Sequence, residues 1–215
     1  MTRRLVLALS LSLTLPCGCK NTYYSVWEKL GWAKRDILVD RVEDARDEQQ
    51  AAKKEFKTTL RKFQDLTGVK GGDLEAKYKK LSAAYEDCKE RAEAVTGRIN
   101  SVDSVATDLF KEWQAELSQY DNAELRKASE QKLTETKARF AQLMTTMRAS
   151  EQKMAPVLKA FNDQVLFLKH NLNAQAISSL QSTAAGIDAD VQKLLKDMEA
   201  SINEANAFIE QMKKT

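Results

Sequence analysis

Apolar or small side chains recur along residues 73–120 at Leu74, Tyr78, Leu81, Tyr85, Cys88, Ala92, Val95, Ile99, Val102, Ala106, Leu109 and Trp113. The steps alternate four, three, four, three, which is the a/d seam of a heptad repeat. The spacing predicts one long helix, roughly 70 Å at about 1.5 Å per residue. A helix striped in this way cannot bury its seam alone, so the rest of the chain is expected to supply partners.

Three other segments carry seams of the same pitch. A first helix is expected over about 34–66, with Leu38, Val42, Ala45, Gln49, Ala52, Phe56, Thr59, Phe63 and Leu66 on one stripe. Thr67-Gly68-Val69-Lys70-Gly71-Gly72 is a strong breaker after it. Asp73 is placed to cap the next helix. Tyr120-Asp121-Asn122 is a short polar turn. A third helix is expected over about 123–169, with Leu133, Thr136, Phe140, Leu143, Met147, Ser150, Met154, Val157 and Phe161 inward. An extra four-residue step then leads to Val165, Leu168 and Leu172, a stutter that locally unwinds a supercoil. His170-Asn171-Leu172-Asn173 marks the next break, where an Asn is expected to end the helix in the left-handed conformation. The fourth helix, about 174–212, carries Ile177, Leu180, Ala184, Ile187, Val191, Leu194, Met198, Ser201, Ala205, Phe208 and Met212, and Leu195, Ile202 and Ile209 widen its stripe.

Short turns between long helices make sequence neighbours antiparallel. The expected fold is therefore all-α: an elongated antiparallel up-down-up-down bundle of four long, coiled-coil-like helices, forming a single domain over 34–215. Folding about residues 70, 121 and 171 puts Ala52, Cys88, Ala155-Pro156 and Ala185-Gly186 at one level. Pro156 is expected to kink its helix there, with small residues closing in around it. The 118–124 turn and the C-terminus fall at the same end as residue 34, where the second and third helices are expected to overhang the first and to bring the tip near Tyr120 to the membrane or a membrane partner. The 67–72 loop and His170 fall at the other.

The first residues read as an export signal. Arg3 and Arg4 precede an apolar run from Leu5 to Leu15, too short to span a bilayer. Pro16-Cys17-Gly18-Cys19 follows. Small residues before a Cys resemble a bacterial lipobox, although Pro16 stands where Leu is usual. Residues 1–18 are thus expected to be a lipoprotein signal peptide and Cys19 the acylated residue. Cys17 would place Pro16 directly before the cut. The alternative is an ordinary secretory leader with incidental cysteines. Asn21, two after Cys19, favours the outer over the inner membrane as the anchoring site. Residues 19–33 would be a tether whose Tyr23, Tyr24, Trp27 and Trp32 lie beside Lys20 and Lys29. These rings suit either a membrane interface or the end of the bundle.

Charge narrows the partners. The chain carries 34 Lys and Arg against 31 Asp and Glu. Removing a leader that holds Arg3, Arg4 and no acid leaves 32 basic residues against 31 acidic ones. A nucleic-acid footprint needs a basic stripe, so no nucleic acid is expected. Near-neutrality also gives no general attraction to anionic lipid.

Candidate chemistry is sparse, and no cofactor, metal or catalytic residue is expected. Cys88 lies on a seam, where a lone Cys behaves as a small hydrophobe. His170 is the only histidine, and its place at a helix end suits a capping or dipole role. Lys34-Arg35-Asp36, Asp40-Arg41 and Arg46-Asp47 form a dense charge run. Asp36 and Asp40 share a face, but interleaved opposite charges mark a solvated, salt-bridged surface more often than a site. No phosphate cradle, nucleophile elbow or zinc motif is present.

Two stretches carry a resemblance. Tyr23-Tyr24, Glu28-Lys29-Leu30-Gly31, Lys34-Arg35-Asp36-Ile37-Leu38-Val39-Asp40-Arg41-Val42 and Ala45-Arg46-Asp47 resemble the opening of a bacterial envelope lipoprotein family known only as a domain of unknown function. Asp163-Gln164-Val165-Leu166-Phe167-Leu168-Lys169-His170-Asn171-Leu172-Asn173-Ala174 resembles its late signature. The resemblance implies a Gram-negative lipoprotein and brings no activity or substrate. The residues of these two stretches that face a partner would be Lys34, Arg35, Asp36, Asp40, Arg41, Arg46, Asp47 and His170.

The expected function is a lipid-anchored periplasmic scaffold or adaptor of the cell envelope, without catalysis, held to the membrane by its anchor and presenting surface to a protein partner. The alternative is a lipid-contacting or membrane-remodelling helical module. Exposed heptads leave homo-oligomerisation open.

Overall fold

The structure, a computed structural model, describes residues 34–68 and 74–214. Four helices follow in order: α1 Lys34–Thr67, α2 Leu74–Glu116, α3 Ala123–His170 and α4 Ala174–Lys213, with a 3-10 turn, Leu117–Gln119, after α2. Among the described residues there is no strand. The leader, Cys19, the aromatic tether and the Asp73 cap lie outside the described residues.

The seams bury as their spacing demands. Leu38, Val42, Ala45, Gln49, Ala52, Phe56, Thr59, Phe63 and Leu66 of α1 are all buried. The α2 seam is buried from Leu81 to Leu109 apart from half-buried Tyr85, and it opens at its ends, where Tyr78 and Trp113 are half-buried. On α3 burial persists from Leu133 through the stutter to Leu168, whereas Leu172 lies beyond the helix and is exposed. Ile202 and Ile209 join the α4 seam in the core. Each large apolar side chain taken fully from water contributes about 1.5–3 kcal/mol. The four seams together therefore hold the bundle.

Polar pairs along the flanks show which helices are neighbours. Arg91 pairs with Glu48 at 3.0 Å and Arg98 with Asp44 at 3.0 Å, joining α2 to α1. Arg148 donates to Asn100 at 2.8 Å and Lys137 to Gln114 at 3.3 Å, joining α3 to α2. Gln142 donates to Glu204 at 3.0 Å, and Lys153 pairs with Asp197, joining α4 to α3. Gln64 donates to Asp188 at 3.0 Å and Lys213 pairs with Glu43 at 2.7 Å, closing α4 onto α1. Partner numbers run in opposite directions at each of these seams, so adjacent helices are antiparallel. Such exposed pairs are worth about 0–1 kcal/mol each, so they report the arrangement more than they enforce it.

Three expectations are corrected. Ala185-Gly186 does not lie level with Ala52, because Gln64 bonds to Asp188 while Lys53, next to Ala52, pairs with Glu199. Folding at the midpoint of each turn ignores the axial stagger that interlocking side chains impose. Pro156 has no small residues closed around it, because it sits on the exposed face of α3, and the helix is unbroken from Ala123 to His170. There the carbonyl freed by the missing N–H faces solvent, where water can satisfy it. Asn171 ends α3 without entering the left-handed region, with φ −134° and ψ 56°. Its side-chain amide donates to the Phe167 carbonyl at 2.9 Å and its backbone N–H to that of Leu168 at 3.2 Å. Those two bonds satisfy end carbonyls that a left-handed residue would otherwise reach.

The starts of α3 and α4 are capped in the ordinary way. Asn122 accepts from the backbone N–H of Glu124 at 2.9 Å and of Leu125 at 3.1 Å. Asn173 accepts from that of Ala176 at 2.9 Å.

A cleft at the hairpin end of the bundle

The ends of the helices are not flush. Lys213, the last residue of α4, pairs with Glu43, and Asp44 pairs with Arg98, which is still well inside α2. From Arg98, α2 continues to Glu116, then through the 3-10 turn and Asn122 into α3. Among the described residues, the α2–α3 hairpin therefore runs on past Arg35 of α1 and past Lys213 of α4.

At the base of this projection lies a cleft of about 330 Å³. Leu109, Trp113, Thr136 and Met212 supply its less polar wall, and Arg35, Glu112, Glu116 and Lys132 its charged one. All four helices contribute. The Trp113 indole N–H donates to the Ser129 hydroxyl at 2.8 Å, and the Tyr120 hydroxyl donates to the same oxygen at 3.4 Å. These bonds fix the indole across the hairpin. Phe140 packs edge-on against Phe110 with ring centroids 5.4 Å apart and against Phe208 at 6.1 Å. This clasp joins α2, α3 and α4. Farther along the hairpin, Tyr120 is 41% and Leu125 58% exposed.

The charge run divides along α1. Arg35 faces the cleft and lies 3.8 Å from Asp36. Arg41 bonds to Asp44 at 3.2 Å, and Asp44 also takes Arg98. Arg46 bonds to Asp47 at 2.8 Å and reaches Asn206 of α4 at 3.3 Å. Lys34 opens the helix half-buried. The Asp40 carboxyl is raised from its ordinary value, first by partial desolvation and then by the charge of Glu43, with Arg41 opposing and Asp44 and Asp36 adding to the rise. The run thus ties α1 to its neighbours, and Arg35 is its contribution to the cleft.

His170 is not brought to this motif. Phe63 of α1 packs edge-on against Phe161 of α3 at 6.4 Å, so the C-terminal ends of α1 and α3 lie together. His170 is exposed at that end, roughly 30 Å from Asp47 at about 1.5 Å per residue. Exposed Leu166 and Phe167 lie near it. Sequence reasoning did not select Glu112, Trp113, Glu116, Lys132 or Met212. The available signal was Trp113, a bulky ring at the last seam position of α2 with little chain left beside it to cover it.

Other chemistry is limited. A second concavity of about 450 Å³ lies between α1 and α2 and is lined by Glu55, Asp87, Glu90, Arg91 and Ala94. Among the described residues no group of three or more His, Cys, Asp or Glu is disposed to hold a metal ion. Among them, too, no helix is long and apolar enough to cross a membrane. Cys88 is buried, and burial pushes its thiol up to about 12, opposed by a hydrogen bond with Thr59 and reinforced by Glu55 and Asp87. A thiol so placed is a poor nucleophile near neutral pH.

A family model described as a protein of unknown function (DUF2959) matches residues 23–212. No curated protein and no solved structure matches the chain.

Proposed function

The chain belongs to the DUF2959 family of proteins of unknown function, and from that premise we propose that it is a lipid-anchored scaffold or adaptor of the bacterial cell envelope. Cys19 carries the anchor, the bundle stands at the periplasmic face, with the outer membrane favoured, and the protein performs no catalysis. The observation that carries this reading is the α2–α3 hairpin. Among the described residues it projects past α1 and α4, and it has at its base a cleft built by all four helices, with a less polar wall and a rim of both charges. That chemistry fits a protein side chain better than a small polar substrate, because apolar contact and paired charge are offered together. The residues at risk on binding are Trp113, Glu116 and Lys132.

Exposed Tyr120 and Leu125 on the hairpin favour a second reading, contact of the hairpin with lipid. One experiment separates the two. A photoreactive residue is placed in the full-length protein in cells at Lys132, at Leu125 or at Lys169 at the other end. The scaffold reading expects a discrete protein adduct from position 132, lost when Trp113 is changed to Ala, and none from 169. Adducts to lipid from 125, with no protein adduct from 132, would replace it with the second reading. Metabolic acyl labelling that persists in a Cys19→Ser variant would remove the proposed anchor.

A further inference from the structure

Heptad seams leave an ambiguity. Sliding one helix by seven residues, roughly 10 Å at about 1.5 Å per residue, sets apolar against apolar again along most of a seam. One layer of this bundle does not repeat. Gln49 of α1 is fully buried; its amide nitrogen donates to the Ser150 hydroxyl of α3 at 3.1 Å, and its amide oxygen accepts from the Ser201 hydroxyl of α4 at 2.9 Å. Ser150 and Ser201 are themselves buried, and Ser150 donates onward to the Met147 carbonyl at 2.9 Å. Donor and acceptor of the Gln49 side chain are both used, and the layer crosses three helices.

Seven residues to either side of Ser150 stand Leu143 and Val157, and to either side of Ser201 stand Leu194 and Phe208. A one-heptad slip of α3 would therefore put hydrocarbon where the Gln49 amide nitrogen has its acceptor, a slip of α4 would do the same to its oxygen, and a slip of α1 would strip both. A buried amide left without partners costs far more than the paired amide contributes. Buried Thr59 reaches the Ala84 carbonyl of α2 at 2.9 Å, and a backbone carbonyl recurs at every heptad, so that bond does not discriminate in this way. Thr136 bonds to the carbonyl of Lys132, one turn back on its own helix, and keeps that bond in any register.

We propose that the Gln49–Ser150–Ser201 layer is the register lock of this bundle, selecting one axial alignment of α1 against α3 and α4 from heptad-shifted alternatives that the apolar seams accept almost equally. Single buried polar positions set register in coiled coils by the same physics. The lock also bears on the cleft. Arg35 and Met212 reach it from α1 and α4, so a slip of either helix would move them one heptad away from Trp113 and Lys132. The inference stands whether or not the protein is a scaffold.

The test reads register directly. In the full-length chain with its three cysteines changed to Ser, cysteines are placed at Lys53 and Glu199, which pair in the native alignment. In separate chains Lys53 is combined instead with Gln192 or Asn206, one heptad to either side. A short bifunctional thiol reagent then reports which pairs meet. The parent should link 53 to 199 and neither shifted position. The triple variant Gln49→Leu, Ser150→Ala, Ser201→Ala should stay helical and melt no lower than the parent. Its ratio of shifted to native product should rise roughly tenfold or more, a factor equivalent to about 1.4 kcal/mol. Ser201→Ala alone, which removes one bond, should give a smaller rise. A helical triple variant that links only 53 to 199 overturns the proposal. So does a triple variant that loses its helical content, since the layer would then hold the fold together rather than choose its alignment.

Discussion

Phe140 is the side chain whose loss should be felt most widely at the cleft end. It is buried, and it packs edge-on against rings from two other helices, Phe110 at 5.4 Å and Phe208 at 6.1 Å. Truncation to Ala removes the transfer free energy of the ring and leaves a cavity, together about 3–5 kcal/mol. Two edge-on pairs, each about 0.5–1.5 kcal/mol beyond burial, place the expected loss in the upper half of that range. For a chain of this size about 1 kcal/mol lowers Tm by roughly 2–4 °C. Phe140→Ala should thus lower Tm by roughly 8–20 °C. Phe140→Leu keeps most of the volume and loses both ring pairs, so it should cost about 1–3 kcal/mol. Urea unfolding followed by helical circular dichroism measures both, with the slope checked to remain that of the parent. A loss below about 1 kcal/mol for Phe140→Ala would mean that α2, α3 and α4 are not clasped there, and the cleft above would lose its rigid base.

Other changes probe single features. Pro156→Ala should stabilise the protein by about 1–3 kcal/mol in urea unfolding, because it restores an interior helical bond on a face where nothing depends on the ring. Gly97 is exposed in the middle of α2, and a methyl group added there meets nothing within 4 Å, so Gly97→Ala should add about 0.5–1 kcal/mol in the same assay. Cys88 should resist thiol reagents in the native protein and react at the rate of unfolding. Its folded thiol titrates at about 12, above the usual value near 8.5. The stability it contributes is therefore complete below about pH 8.5 and lost as pH rises from there toward about 12. Cys88→Ala should lessen the alkaline decline in Tm relative to the parent.

The ends of the helices were legible because two independent signals coincide at each. The heptad seam of α1 stops at Leu66 just before the glycine run, and the helix ends at Thr67. The seam of α3 reaches Leu168, three residues before Asn171, which caps the helix end. Register was not legible by folding at turn midpoints, because the apolar pattern repeats and a turn of a few residues tolerates stagger. It was written in positions that read locally as blemishes in a seam. Gln49, Ser150 and Ser201 each look like a polar lapse in an apolar stripe, and only their meeting gives them a role.

The cleft escaped sequence reading for a related reason. The overhang of α2 and α3 past α1 was legible, because it follows from helix lengths folded about the turns, and Arg98 lying against Asp44 agrees with it. Which side chains line the hollow at its base depends on register, and that is a long-range fact. Once the register is known, the role of Trp113 follows. A large ring at the end of a seam is covered in a flush bundle, and here only part of it is, with its N–H committed to Ser129 and its face left toward the cleft. The same logic separates the two motifs of the charged run and the late signature. They lie at opposite ends of parallel helices α1 and α3, so one binding event on a single small surface cannot use both. Any partner that contacts Arg35 at the cleft must leave His170 untouched unless it spans the length of α1 between them.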